Sequence, residues 1–244
     1  MTSDKNEIVK ILNDQFCEVF NPSVDYNTVY PAQLTINYPC ITNASIFSVS
    51  NIVRAIKNLD IHKPAGPDGL HPRVIKSCPN SFAIALSHIF KSFFNTGSVP
   101  DAWKIAHITP IHKKGNKTEP TNYRPISLTA LPCKIMERMI RDEMMNHLIR
   151  NELIVDEQHG FVMNKSCLTN LLESLDTITN ALDEGNRIIL IFLNFAKAFD
   201  KVCHKALVAK LETYGFNKQI LDWVKDFLHN RKQRVIIGEY KSNW

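Results

Sequence analysis

Apolar residues recur at helical spacing along most of this chain. Ile8, Ile11, Leu12, Phe16 and Phe20 predict a short amphipathic helix over residues 5 to 20. Ser48 is a fitting N-cap for a second helix that carries Ile52, Ala55, Ile56 and Leu59 on one face. Residues 81 to 95 form a third, burying Ala85, Leu86, Ile89, Phe90 and Phe93. Ile135, Met136, Met139, Ile140 and Met144 keep register over 132 to 149, and further helices are expected at 168 to 183, 205 to 213 and 219 to 228. Gly185 and Gly215 suit helix ends.

The period changes in three places. Ile105 to Ile111 and Tyr123 to Leu128 read as the arms of a β-hairpin, with Gly115 and Asn116 supplying turn chemistry. Six consecutive apolar residues, Ile188 to Leu193, predict a strand buried on both faces and are too few to span a membrane. Arg234 to Gly238 reads as a strand with no evident partner. Residues 21 to 43, rich in Pro, Asn and Thr, read as an extended connector. Two prolines and two glycines make Lys63 to Gly69 a loop.

Composition narrows the class without naming it. Hydrophobic residues make up 44% of the 244 and charged residues 22%, which excludes pervasive disorder. The net charge is +5 and the excess is local. Lys104, Lys113, Lys114, Lys117, Arg124 and Lys134 outnumber Asp101 and Glu119 in one stretch, and Lys225, Arg231, Lys232 and Arg234 form a second basic group. Such clusters suit polyanions, and equally a solvated face. The six cysteines and nine histidines never take zinc-ligand spacing, so idle thiols in a reducing compartment are expected. With no apolar signal core at the N-terminus, the expectation is a soluble intracellular protein of nucleus or cytoplasm.

Three segments in fixed order carry a resemblance. They are KPAGPDGL (Lys63 to Leu70); ITPIHKKG to NYRPISL (Ile108 to Leu128); and QHGF (Gln158 to Phe161), followed by FAKAFDKVCH ending at His204. In this order they resemble the reverse transcriptases of non-LTR retrotransposons, jockey-like elements in particular. The resemblance implies an α/β (α+β) fold, helix-rich with a small sheet: the fingers and a truncated palm of a right-hand polymerase. It divides the chain into a connector (1 to 47), a fingers-like region (48 to 170) and a partial palm (171 to 244). It implies an RNA template, a DNA primer and deoxynucleotide triphosphates as partners, no membrane, and Mg²⁺ as the family's cofactor. Self-association through the incomplete palm is a further expectation.

By resemblance, Lys113 and Arg124 contact the incoming nucleotide. Phosphoryl transfer relies on such cations, Arg as a bidentate fork and Lys as a point charge. Phe199 matches the aromatic gate under the sugar, and Gln158 and Gly160 match template-grip positions. Asp200 is read as the N-cap of the following helix. The catalytic position is held by Asn194 where the family has an aspartate. Asn194 offers a neutral carbonyl to a dication, and no two adjacent aspartates occur anywhere in the sequence. The expectation is an incomplete, inactive polymerase fragment that binds no metal. The alternative is a non-catalytic nucleic-acid-binding module derived from one.

Overall fold

The computed structural model describes residues 4–18, 46–195 and 197–244. The predicted connector at 21 to 43 lies outside these residues, as does Phe20. The described helices and strands are α1 (Lys5–Cys17), α2 (Val49–Lys57), α3 (Pro72–Ser77), α4 (Pro79–Thr96), β1 (Ile105–His112), β2 (Tyr123–Leu128), α5 (Leu131–Arg150), α6 (Cys167–Asp183), α7 (His204–Thr213), α8 (Lys218–Leu228), β3 (Lys232–Ile237) and β4 (Tyr240–Lys241). The fold is helix-rich with one small mixed sheet, in line with the α/β (α+β) expectation. It divides into two compact units: Met1–Glu143 with Lys197–Trp244, and Met144–Ala196.

The sheet of the first unit runs in the order β2-β1-β3-β4. β1 and β2 form the antiparallel hairpin, with Ile111 opposite Arg124 and Pro110 opposite Pro125. Lys113 N–H donates to Asn122 O at 2.8 Å, so the hydrogen-bonded pairs fall at 113–122 and 111–124. The facing prolines, which have no N–H to give, therefore occupy a non-bonded pair and cost the ladder nothing. α1 packs across one face through Val9, Leu12 and Phe16 against Ala106, Ile108 and Val235.

β3 corrects the expectation of a strand without a partner. It pairs in parallel with β1, Ile105 opposite Lys232 and Ile108 opposite Val235. Sequence separation hid this pairing, because parallel strands need a long crossover and leave no local signature. Lys232 N–H donates to Lys104 O at 3.0 Å just before the ladder begins. Beside it, Lys104, only 7% exposed, reaches Asp226 Oδ1 through its ammonium at 2.8 Å. Asp226 Oδ2 accepts from Val99 N–H at 2.6 Å. One carboxylate at the end of α8 thus ties both β1 and the segment after α4 to the β3 side.

A second core lies between α2 and α4. Ile52 and Ile56 meet a cluster in which Phe47 sits edge-on to Phe90 (5.7 Å) and Phe94 (5.3 Å). Ser48 caps α2 as expected, its Oγ accepting from Asn51 N–H. The KPAGPDGL loop acquires a physical role here. Gly66 lies so close to the Thr129 carbonyl that a Cβ would stand 2.1 Å from the oxygen. Asp68 Oδ2 accepts from Leu131 N–H at 2.9 Å, satisfying an orphan donor in the first turn of α5. Within α5 the buried Cys133 thiol donates to Glu137 Oε1 at 2.9 Å. Burial, then the Glu137 charge, pushes this thiol's pKa up, which leaves it inert.

Two further expectations fail. Ile188 to Leu193 forms no strand: Ile189 is 87% and Phe192 90% exposed, and no strand among the described residues runs alongside. Apolar runs record what a segment is suited to bury; whether it does so depends on a neighbouring strand. Asp200 does not cap a helix. Its N–H donates to Lys197 O within a turn, and α7 begins only after Cys203.

Replacing Asp226 with Ala leaves the buried Lys104 ammonium with only the exposed Asp101 carboxylate 4.0 Å away. Chemical denaturation of D226A is expected to show a loss of about 3 kcal/mol, with D226N losing less because it still accepts from Val99.

Candidate nucleic-acid interface

Strand alternation assigns the side chains of the sheet to two faces. Ala106, Ile108, Val235 and Ile237 point to α1. The opposite face carries His107, Thr109 and Ile111 of β1, Lys113 at its end, Arg124 and Ile126 of β2, Lys232 and Arg234 of β3, and Lys241 of β4. No carboxylate stands among these positions, and Lys113, Arg124, Lys232 and Lys241 are exposed. The two basic groups, more than a hundred residues apart in sequence, meet here on one surface.

At the hairpin end, Lys113 and Arg124 are diagonal neighbours on this face, with Cβ atoms about 7 Å apart. That spacing lets both cations reach a single triphosphate. The turn behind them is held by Asn122 Nδ2, which donates to Asn116 O at 2.9 Å, and by the Tyr123 hydroxyl, which donates to Lys117 O at 3.0 Å.

Toward the middle of the sheet, Arg234 Nη2 donates to His107 Nε2 at 3.1 Å. The Arg234 guanidinium also lies 4.1 Å from the centroid of the Trp244 ring, and His107 stacks on the same ring at 6.0 Å. Burial, then the charges of Arg234 and Lys241, holds the His107 pKa below its usual 6.5. His107 is therefore neutral near pH 7 and able to accept the hydrogen bond from Arg234.

Other basic residues are spent on structure. Lys104 is buried in its ion pair with Asp226. Arg231 donates to Phe227 O at 3.1 Å and lies over the Phe227 ring. Counting charges along the sequence overstated the patch at these positions and missed His107, Arg234, Lys241 and Trp244 as a group. The β1–β3 and β3–β4 pairings bring them together, along with the packing of Trp244 on Arg234 and His107.

The second unit places the QHGF residues differently from one another. Gln158 is exposed, and its Nε2 donates to Gly160 O at 2.9 Å. A Cβ on Gly160 would meet only that amide, at 3.3 Å. The anchored residue is His159, whose ring nitrogens lie 2.9 Å from Thr169 Oγ1 and 2.6 Å from Glu173 Oε2. It fixes the loop to α6, whose start is closed by a reciprocal Ser166–Thr169 capping box. Asn194 of this unit is exposed, and Phe199 of the first unit is 78% exposed.

The donor set does not fit a magnesium ion. Mg²⁺ is held through anionic oxygens, and Asn194 presents one neutral carboxamide. Among the described residues no three His, Cys, Asp or Glu side chains gather closely enough to hold a metal. No helix among them is long and apolar enough to cross a membrane.

Comparison with known proteins agrees with the motif order. The family described as reverse transcriptase (RNA-dependent DNA polymerase) matches residues 111–243. The chain is 32% identical over 200 residues to the RNA-directed DNA polymerase from mobile element jockey of Drosophila melanogaster, covering 82% of this chain and 22% of that protein. It is 30% identical over 188 residues to the probable RNA-directed DNA polymerase from transposon BS of the same fly, covering 77% and 21%. A retrovirus-related Pol polyprotein from the R2 element of Nasonia vitripennis is 21% identical over 203 residues, covering 80% of this chain and 19% of its own. The chain belongs to the reverse transcriptase family, as a reverse transcriptase domain of the non-LTR retrotransposon kind. It spans about one fifth of the length of these relatives.

The lowered pKa of His107 sets a pH dependence. The unfolded chain binds this proton more readily than the folded one, so stability falls as pH drops from 6.5 through the lowered folded value. Thermal unfolding between about pH 7.5 and about pH 5 should show a steeper loss in the wild type than in His107→Gln, which has no proton to gain there.

Proposed function

We propose that this chain is the nucleotide-gripping part of a retrotransposon reverse transcriptase, that it binds polyanions through its open sheet face, and that it does not polymerise by itself. Lys113 and Arg124 hold the triphosphate of an incoming deoxynucleotide, Arg124 as the fork and Lys113 as the point charge. The shared face and diagonal spacing of these two residues is the observation that carries this reading. Phe199 lies against the nucleotide sugar, and Gln158 and Gly160 contact an RNA template paired to a DNA primer.

Asn194 supports the absence of catalysis. An amide in place of a carboxylate removes a full charge from the metal position, and each 1.36 kcal/mol so lost at the transition state is about tenfold in rate. The alternative, a non-catalytic nucleic-acid-binding module derived from the polymerase, is not favoured, because the family match and the motif order both support the reverse transcriptase domain itself. The site of action is nucleus or cytoplasm, where template RNA is present.

Purified protein given primed RNA, deoxynucleotides and Mg²⁺ should extend no primer. It should nevertheless bind deoxynucleotide triphosphate and nucleic acid, with affinity falling steeply as salt rises. Lys113→Ala and Arg124→Ala should each weaken triphosphate binding by roughly fivefold to tenfold, as expected for a charge-assisted contact. Primer extension would contradict the inactivity, and binding indifferent to both substitutions would contradict the nucleotide contact.

A further inference from the structure

The hairpin accounts for only one end of the cationic face. The other end is built differently. Arg234 gives one donor to His107 and lays its guanidinium on the Trp244 ring, while its Nε is buried with no hydrogen-bond partner among the described residues. Trp244 remains 52% exposed, so this immobilised indole still presents surface to solvent. Lys232 and Lys241 flank it from β3 and β4, both exposed. About 20 Å of β1, six residues, separates His107 from Lys113, so this group does not share the triphosphate held at the hairpin.

We propose that Trp244, fixed by Arg234 and His107, is a stacking platform for a base of an unpaired nucleic-acid strand, whose backbone follows Lys232 and Lys241. The inference rests on the polyanion-binding reading above and adds to it a site that recognises bases as well as phosphates. An aromatic ring beside cations on an open sheet is the combination that single strands require. The cations draw the backbone in, and the ring offers its face to any base, since every base has a π-surface. Duplex DNA is the poorer ligand because its bases are already stacked on one another. Holding Arg234 against the indole adds to the platform twice over: it limits the ring's motion, and the paired guanidinium contributes a cation–π contact.

The test uses the full chain and three fluorescent probes of about twelve nucleotides: oligo(dT), an abasic oligomer of equal charge, and a duplex. Anisotropy titration should show oligo(dT) bound more tightly than the other two. Trp244→Ala should lower oligo(dT) affinity about tenfold and leave abasic binding unchanged, whereas Trp244→Phe should keep most of the affinity. If Trp244→Ala loses abasic binding as well, the wild-type indole emission decides. Quenching by oligo(dT) but not by the abasic strand supports stacking, and equal quenching overturns it. Equal wild-type affinity for oligo(dT) and abasic strand, tighter duplex binding, or a preference that survives in Trp244→Ala also overturns the platform, while leaving polyanion binding standing. Failure to bind any probe overturns both readings.

Discussion

The parallel pairing of β1 with β3 is the constraint on which the rest depends. Four residue pairs, Ile105–Lys232 to Ile108–Val235, join segments more than a hundred residues apart. They complete the surface against which α1 buries Val9, Leu12 and Phe16, and they carry the second basic group to the first. The Lys104–Asp226 ion pair secures the start of this ladder, where Lys104 is only 7% exposed and the carboxylate compensates its buried charge. Core and cationic face are thus two sides of one pairing.

The two faces of the sheet divide the labour by alternation alone. Ala106, Ile108 and Val235 point inward, and their immediate neighbours His107 and Arg234 point outward. A one-residue slip in register would send Arg234 into the apolar core and Val235 to solvent. The cost of burying that guanidinium is what specifies the register. The same alternation places Lys113 and Arg124 together, so the paired cations at the hairpin end and the outward placing of His107 and Arg234 follow from one structural rule applied along β1.

Local features were readable before the fold was known. Helical periodicity located α2, α4, α5, α6, α7 and α8 to within a few residues, and the hairpin followed from Gly115, Asn116 and the flanking β-rich runs. Motif order was enough to indicate the family. What escaped was non-local. The partner of Arg234 to Gly238 lay more than a hundred residues away, and the apolar run Ile188 to Leu193 proved exposed because hydrophobicity does not supply a neighbour. Lys104 counted as a free cation until its ion pair with Asp226 was seen. A lone histidine within QHGF has no spacing signature, and the anchors of His159 on α6 appear only in three dimensions.

Backbone NOEs between β1 and β3 test the central claim most directly. The account predicts cross-strand contacts in parallel register linking Ile105 to Ile108 with Lys232 to Val235, and a Lys232 amide that exchanges slowly because it donates to the Lys104 carbonyl. Residues 232 to 235 whose amides exchange at unfolded-chain rates, with no contacts to β1, would contradict it.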